Sequence, residues 1–345
     1  MEYAAKTHRA GAQRMHAPDG FLNASTAVAT GALSLSTVGA ALRQMRHRLE
    51  DRQIPLAGIA AAFVFAAQMF NFPVAGGTTG HLLGGALAAI LLGPGIGAVV
   101  VTVVVIVQAL AFADGGLTAL GYNVLNMAVI PAFGGFAVFR LFRRLLPRTP
   151  GGVVAATGLA AGLSVVLASM AFSIQWLFGA TAPVPFDTVF AAMVGVHLLI
   201  GVGEGVISGL VVGAVLASRP DLVRGARDLD RTERTDRIPI RLRTFLVSSF
   251  LVALLLAAVV SQFAFDGPDG LERVAQDTGF AEGATAHPLG GSVFADYATV
   301  GIGNETVSLA VAGTAGIAIT LALGSGVFLA VRDRDPRSRE ERRAA

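Results

Sequence analysis

Long apolar runs separated by short polar islands make up most of this chain. Nine runs have about the length needed to cross a hydrocarbon core, and they cover approximately residues 24–42, 56–72, 82–92, 96–113, 124–139, 153–178, 189–217, 244–265 and 307–331. The third is short, bounded by His81 and by the breaker Gly93-Pro94-Gly95. It reads either as a half-length or strongly tilted helix, of the kind that marks binding sites in transporters, or as one side of a tight turn between two ordinary helices. The expected fold is all-α: a polytopic helical membrane protein.

Composition agrees with the pattern. Of 345 residues, 54% are hydrophobic and 14% charged, against roughly 25% charged in a soluble domain. There is no cysteine, so any metal site must use nitrogen and oxygen ligands.

Charge orients the runs. All basic residues except Lys6, Arg9, Arg14 and Arg273 fall in four places: between runs one and two, five and six, seven and eight, and after run nine. The positive-inside rule makes that face cytoplasmic, so the net charge of +3 reports topology, and no nucleic-acid partner is expected. Nine crossings with a cytoplasmic C-terminus put the N-terminus outside, in a multi-pass protein of the cell membrane. The outer face carries Asp19, Asp114, Asp187, Asp266, Asp269, Glu272, Asp277, Glu282 and Asp296. These acids either concentrate divalent cations or are a by-product of the charge bias.

The organisation changes after run seven. Residues 219–243 form a charged cytoplasmic connection. Residues 244–331 then hold two spans around an outer segment, 266–305, followed by a basic tail, 332–345. Residues 1–14 are basic and lack the apolar stretch of a signal peptide, which fits a misplaced start codon or a trimmed leader.

Two polar islands, Met15-His16-Ala17-Pro18-Asp19-Gly20-Phe21-Leu22 and Gly76-Gly77-Thr78-Thr79-Gly80-His81, each carry a histidine and fall on the same outer side. With Met15 as the mature N-terminus, its amine, the His16 amide nitrogen and the His16 Nδ1 can close adjacent chelate rings. His81 then completes a square-planar site of four nitrogens, suited to nickel(II), copper(II) or cobalt(II). The plainer alternative is a loop histidine at position 16 and a helix-capping histidine at position 81.

The first island resembles the M-H-x-P-[DE]-G-F-L start of the CbiM/NikM family, the membrane substrate-capture subunits of cobalt and nickel energy-coupling-factor transporters. The second island, continued by Leu82-Leu83-Gly84-Gly85, is similar to that family's second motif. A third stretch, Gln108-Ala109-Leu110 with Ala113-Asp114-Gly115-Gly116-Leu117-Thr118-Ala119-Leu120-Gly121, Asn123 and Asn126-Met127, resembles the family as well. The resemblance covers about residues 15–217 and implies a seven-helix bundle like those of such capture subunits. It implies Co(II) or Ni(II) as transported substrate, with Met15, His16 and His81 as ligands. Pro268-Asp269-Gly270-Leu271-Glu272 looks like the PDGLE domain, a two-helix accessory unit. There Asp269, Glu272 and His287 either relay metal or form a solvated turn.

Asn123 and Gln108, with Thr78 and Thr79, are candidates to orient the ligands from a second layer. Glu204, in the middle of run seven, is either functional or a hydrogen-bonded structural carboxyl. Near it Gly201, Gly205, Gly209 and Gly213 form a small-residue face that meets either a partner subunit or another helix of this chain. His197 reads as a bundle-interior histidine rather than a ligand. The only lysine is Lys6, which excludes a phosphate-binding G-x-x-x-x-G-K-[ST] loop. ATP hydrolysis therefore falls to separate subunits, and the resemblance implies a transmembrane coupling subunit and ABC-type ATPases as partners. The competing readings are a stand-alone secondary metal carrier and an intramembrane metalloenzyme, the latter weakened by the lack of any H-E-x-x-H motif.

Overall fold

Asn23 opens the first helix by accepting the Thr26 N–H on its side chain, a capping contact that satisfies one of the orphan donors at a helix start. The computed structural model describes residues 16–46, 49–229 and 240–332. In chain order the helices are α1 (Ala24–Met45), α2 (Gln53–Gln68), α3 (Gly85–Leu92), α4 (Pro94–Ala111), α5 (Leu120–Asn123), α6 (Ile130–Leu145), α7 (Pro150–Gly179), α8 (Phe186–Ser218), α9 (Leu242–Ala258), α10 (Gly270–Thr278) and α11 (Glu305–Val331). A π-helical stretch, Val124–Val129, joins α5 to α6. Among the described residues, seven helical stretches are long and apolar enough to cross a membrane, and α2 is a shorter apolar helix. Large apolar side chains such as Leu210, Val202, Leu251 and Phe178 lie on the outside, as lipid contact requires. The chain is thus a multi-pass helical membrane protein.

The second apolar run stops being helical at Gln68, earlier than its hydropathy suggests. Pro73 drives Phe72 into extended backbone, and a two-residue hairpin follows: β1 (Phe72–Pro73) pairs antiparallel with β2 (Thr79–Gly80), Phe72 opposite Gly80. Beyond it α3 has eight residues, about 12 Å of helix, so it is a half-length element. It ends at Gly93, turns tightly into α4, and packs so closely on it that a Cβ at Gly97 would lie 2.6 Å from the Ala89 nitrogen. Half-length helix and tight turn are both present.

The small-residue face meets another helix of the same chain. A Cβ at Gly201 would lie 2.6 Å from the Gly162 carbonyl oxygen, and one at Gly205 2.6 Å from that of Gly158, so α7 and α8 approach backbone to backbone. The two late spans dock on α2: Gly324 of α11 sits over Gly58 and Ala61, and Gly316 over Phe65. One end of the bundle gathers arginine ion pairs, Arg143 with Asp228 at 2.6 Å and Arg219 with Asp221 at 2.7 Å. The other end carries the two histidine islands and the segment between α9 and α11.

Candidate functional site

The first island is held in place by its aspartate. Asp19 accepts the backbone N–H groups of Leu117, Thr118 and Ala119 at 3.1, 2.7 and 3.1 Å, and the Thr118 hydroxyl at 2.6 Å. A segment that reads as an ordinary turn is therefore fastened to the loop before α5. Asn123 Nδ2 donates to the Ala17 carbonyl at 2.9 Å, and Gly116 N–H donates to the same oxygen at 3.0 Å. Gly115 has φ +87°, and a Cβ there would lie 2.8 Å from the His16 Cβ; only glycine permits both that backbone and that approach.

The second island is positioned from the middle of α8. The Glu204 carboxylate is fully buried and accepts Leu83 N–H at 2.7 Å on one oxygen and Gly84 N–H at 3.0 Å on the other. Glu204 thus fixes the strand of chain that leads from His81 into α3. Gly84 itself has φ +76° and packs against Val64.

These two anchors bring the rings of His16 and His81 to 5.9 Å between centroids, nearly perpendicular at 80°. Both side chains are buried. His81 Nδ1 lies 3.2 Å from the Leu82 carbonyl, and its Nε2 lies on the side of Asp269. His16 Nδ1 lies 3.3 Å from the Asp114 carbonyl and 3.6 Å from its carboxylate, and His16 Nε2 is buried without a hydrogen-bond partner. A chelate through Nδ1 therefore needs the ring turned over about its Cβ–Cγ bond, because the Asp114 loop occupies that side. Burial depresses the His16 pKa below its ordinary value, with Asp114 opposing the shift. The imidazole is accordingly neutral near pH 7 and can offer a lone pair to a metal.

A cavity of about 80 Å³ opens beside the two rings, room for an ion and a water or two by the volume water occupies in the liquid, about 30 Å³. Besides His16 and His81 it is lined by Asn123, Asn126, His197 and Asp269. The π-helical stretch turns Asn126 and Met127 toward it; Pro131, which cannot donate and crowds the carbonyl four residues back, is the local cause of the irregular winding. Asp269 comes from the C-terminal unit. Its Oδ1 caps α10 by accepting Glu272 N–H at 2.7 Å, and its Oδ2 lies 4.0 Å from His81 Nε2. Burial pushes its carboxyl up to about 6.

Several expected residues lie elsewhere. Gln108 is buried but does not line the cavity; it packs behind Asp114, next to Tyr297. The Thr79 hydroxyl donates to the carbonyls of Gly267 and Pro268, tying the hairpin to the C-terminal unit, and Thr78 serves the hairpin by accepting Val74 N–H at 2.8 Å. Glu272 is half-buried on α10, where it accepts from Gln276 at 3.2 Å, and it does not line the cavity. His287 accepts Leu289 N–H and does not reach the cavity. Conversely, His197 lines the same cavity as the other two histidines, shallower than its place in run seven suggests, with Nδ1 held 2.7 Å from the Met193 carbonyl. Sequence reading placed Asp114 only among the outer-face acids and inside the third motif, and gave no role to Tyr297. Met15 lies outside the described residues. Among those residues no three His, Asp or Glu side chains are arranged to hold a metal ion by themselves.

Comparison with known proteins gives these residues a family. Residues 16–222 match the family described as "Cobalt uptake substrate-specific transmembrane region", and residues 243–333 match the PDGLE domain. The chain is 31% identical over 347 residues to the fused nickel transport protein NikMN of Rhodobacter capsulatus, covering 92% of this chain and 98% of that protein. It is 35% identical over 209 residues to the cobalt transport protein CbiM 2 of Pelobacter propionicus, covering 59% and 91%. A crystal structure of a truncated transition metal transporter superposes with a TM-score of 0.52 at 33% identity, covering 59% of this chain and 98% of that one. The chain belongs to the cobalt uptake substrate-specific transmembrane family and carries a PDGLE domain at its C-terminal end.

Proposed function

We propose that this protein is the substrate-specific component of an ATP-driven, energy-coupling-factor uptake system, and that it captures Co(II) or Ni(II) at the outer face of the membrane. The observation that carries the reading is the approach of the buried His16 and His81 rings to 5.9 Å. With the Met15 amine and the His16 amide nitrogen they make four nitrogen donors, a set that prefers nickel(II) or cobalt(II) in a plane over ions that seek six or more oxygens. The histidine-bearing end faces outward and the arginine-rich end the cytoplasm, by the positive-inside rule. Energy comes from separate ATPase subunits acting through a membrane coupling subunit. Glu204 is engaged on both oxygens by the His81 loop, which supports a structural role and weakens the case for a stand-alone carrier that would use it in transport.

The test is metal titration of protein whose mature N-terminus, verified by mass, is Met15. A yellow, diamagnetic nickel complex is expected, abolished in His16→Ala and in His81→Ala, together with cellular uptake that requires co-expressed ATPase. A green, octahedral spectrum rejects the planar site; uptake without the ATPase rejects the energy-coupling assignment.

A further inference from the structure

The segment between α9 and α11 lies across the histidine-bearing end and touches each loop that builds the cavity. Thr285 N–H donates to the Asp19 carbonyl at 2.9 Å, Thr79 N–H to that of Pro268 at 2.8 Å, and Asp296 N–H to that of Phe112 at 2.9 Å. Phe280 packs between Phe21, edge-on at 5.0 Å, and Trp176, tilted at 4.4 Å between centroids. A second and separate set of contacts reaches the two histidines. Asp269 is buried, with one carboxylate oxygen committed to capping α10 and the other 4.0 Å from His81 Nε2. A cation seated on His81 Nε2 at a bond length of roughly 2.0–2.2 Å therefore lies close to the Asp269 carboxylate. At the other ring, the Tyr297 hydroxyl donates to Asp114 Oδ2 at 2.8 Å, while Asp114 Oδ1 lies 3.6 Å from His16 Nδ1. Tyr297 and its neighbour Asp296 are held at φ +57° and +52°, a left-handed backbone that non-glycine residues keep only when tertiary contacts impose it. Here the Tyr297 ring stacks on Phe112 at 5.0 Å and Asp296 N–H donates to the Phe112 carbonyl.

We infer that the C-terminal two-helix unit completes the metal-capture site: Asp269 faces the cation bound on His81, and Tyr297, acting through Asp114, positions His16. The inference rests on the capture reading above and deepens it. A divalent ion held by neutral nitrogen donors in a buried cavity gains from a nearby carboxylate, and the loop against which an imidazole ligand packs fixes where that ring sits.

The experiment uses the full chain beginning at Met15, titrated with nickel(II) and with cobalt(II). Asp269→Asn and Asp269→Ser both keep a side chain able to cap α10, and Tyr297→Phe keeps the stacked ring. Each is expected to weaken capture by roughly 10–100-fold, as loss of an outer partner does at other metal sites. Tyr297→Phe should also shift the ligand-field absorption of the bound ion, a change that looser folding alone does not produce. Asp269→Glu should recover part of the lost affinity, and Glu272→Gln, on the same helix but outside the cavity lining, should bind like the unaltered chain. Unchanged affinity in Asp269→Asn and Tyr297→Phe overturns the inference; so does equal loss in Glu272→Gln. If the unaltered chain itself binds neither ion, the capture reading fails; if only His16→Ala and His81→Ala lose binding, that reading stands and this inference falls.

Discussion

Glu204 illustrates how one residue's chemistry is settled by its partners. A carboxylate in the middle of a membrane helix is expensive, and here both oxygens are satisfied by successive N–H groups of the segment that follows His81. Glu204→Gln replaces one acceptor with a second donor facing an N–H. That change is expected to cost about 1–3 kcal/mol in stability and to lower metal capture by loosening His81, read by thermal melting and titration of the same sample. Asp19 plays the matching part for His16. It gathers three backbone N–H groups and a hydroxyl, where its sequence context, Pro18-Asp19-Gly20, suggests only a turn.

At the scale of elements, the packing of α7 on α8 depends on the absence of side chains. The stripe of glycines in run seven is legible in sequence, but its partner is not, since two bare backbones must be brought together before either is recognised as a surface. Gly201→Leu drives a side chain into the Gly162 carbonyl and is expected to destabilise by about 1–3 kcal/mol. Gly195→Leu, on the same helix with open space around its Cβ position, is expected to melt like the unaltered protein, and detergent-solubilised melting curves compare the two. α3 shows the complementary case: a breaker at Gly93-Pro94-Gly95 and a histidine at position 81 predict a short element, and the structure supplies an eight-residue helix entered from the carboxylate of another helix. Its shortness follows from local chemistry, its entry point from packing.

For the molecule as a whole, the two ends differ in charge and in content, arginine ion pairs at one and the histidine cavity at the other. The chain lacks cysteine, so single introduced thiols report sidedness without background. Ala286→Cys, exposed in the segment over the cavity, should react with a membrane-impermeant maleimide in intact cells. Arg148→Cys, exposed at the arginine-rich end, should react only after permeabilisation; the reverse pattern overturns the proposed orientation. The membrane-spanning character, the order of the spans and the two histidine islands were determined by sequence alone, because hydropathy over some twenty residues and the side of an arginine are local properties that need only be counted along the chain. The company those histidines keep was decided by tertiary structure. His197 and Asp269 reach the cavity from late in the chain, and Tyr297 reaches Asp114 across 183 residues of sequence. Such convergence depends on how helices cross and how a late segment folds back over an early one, and nothing in the periodicity of a single run encodes it.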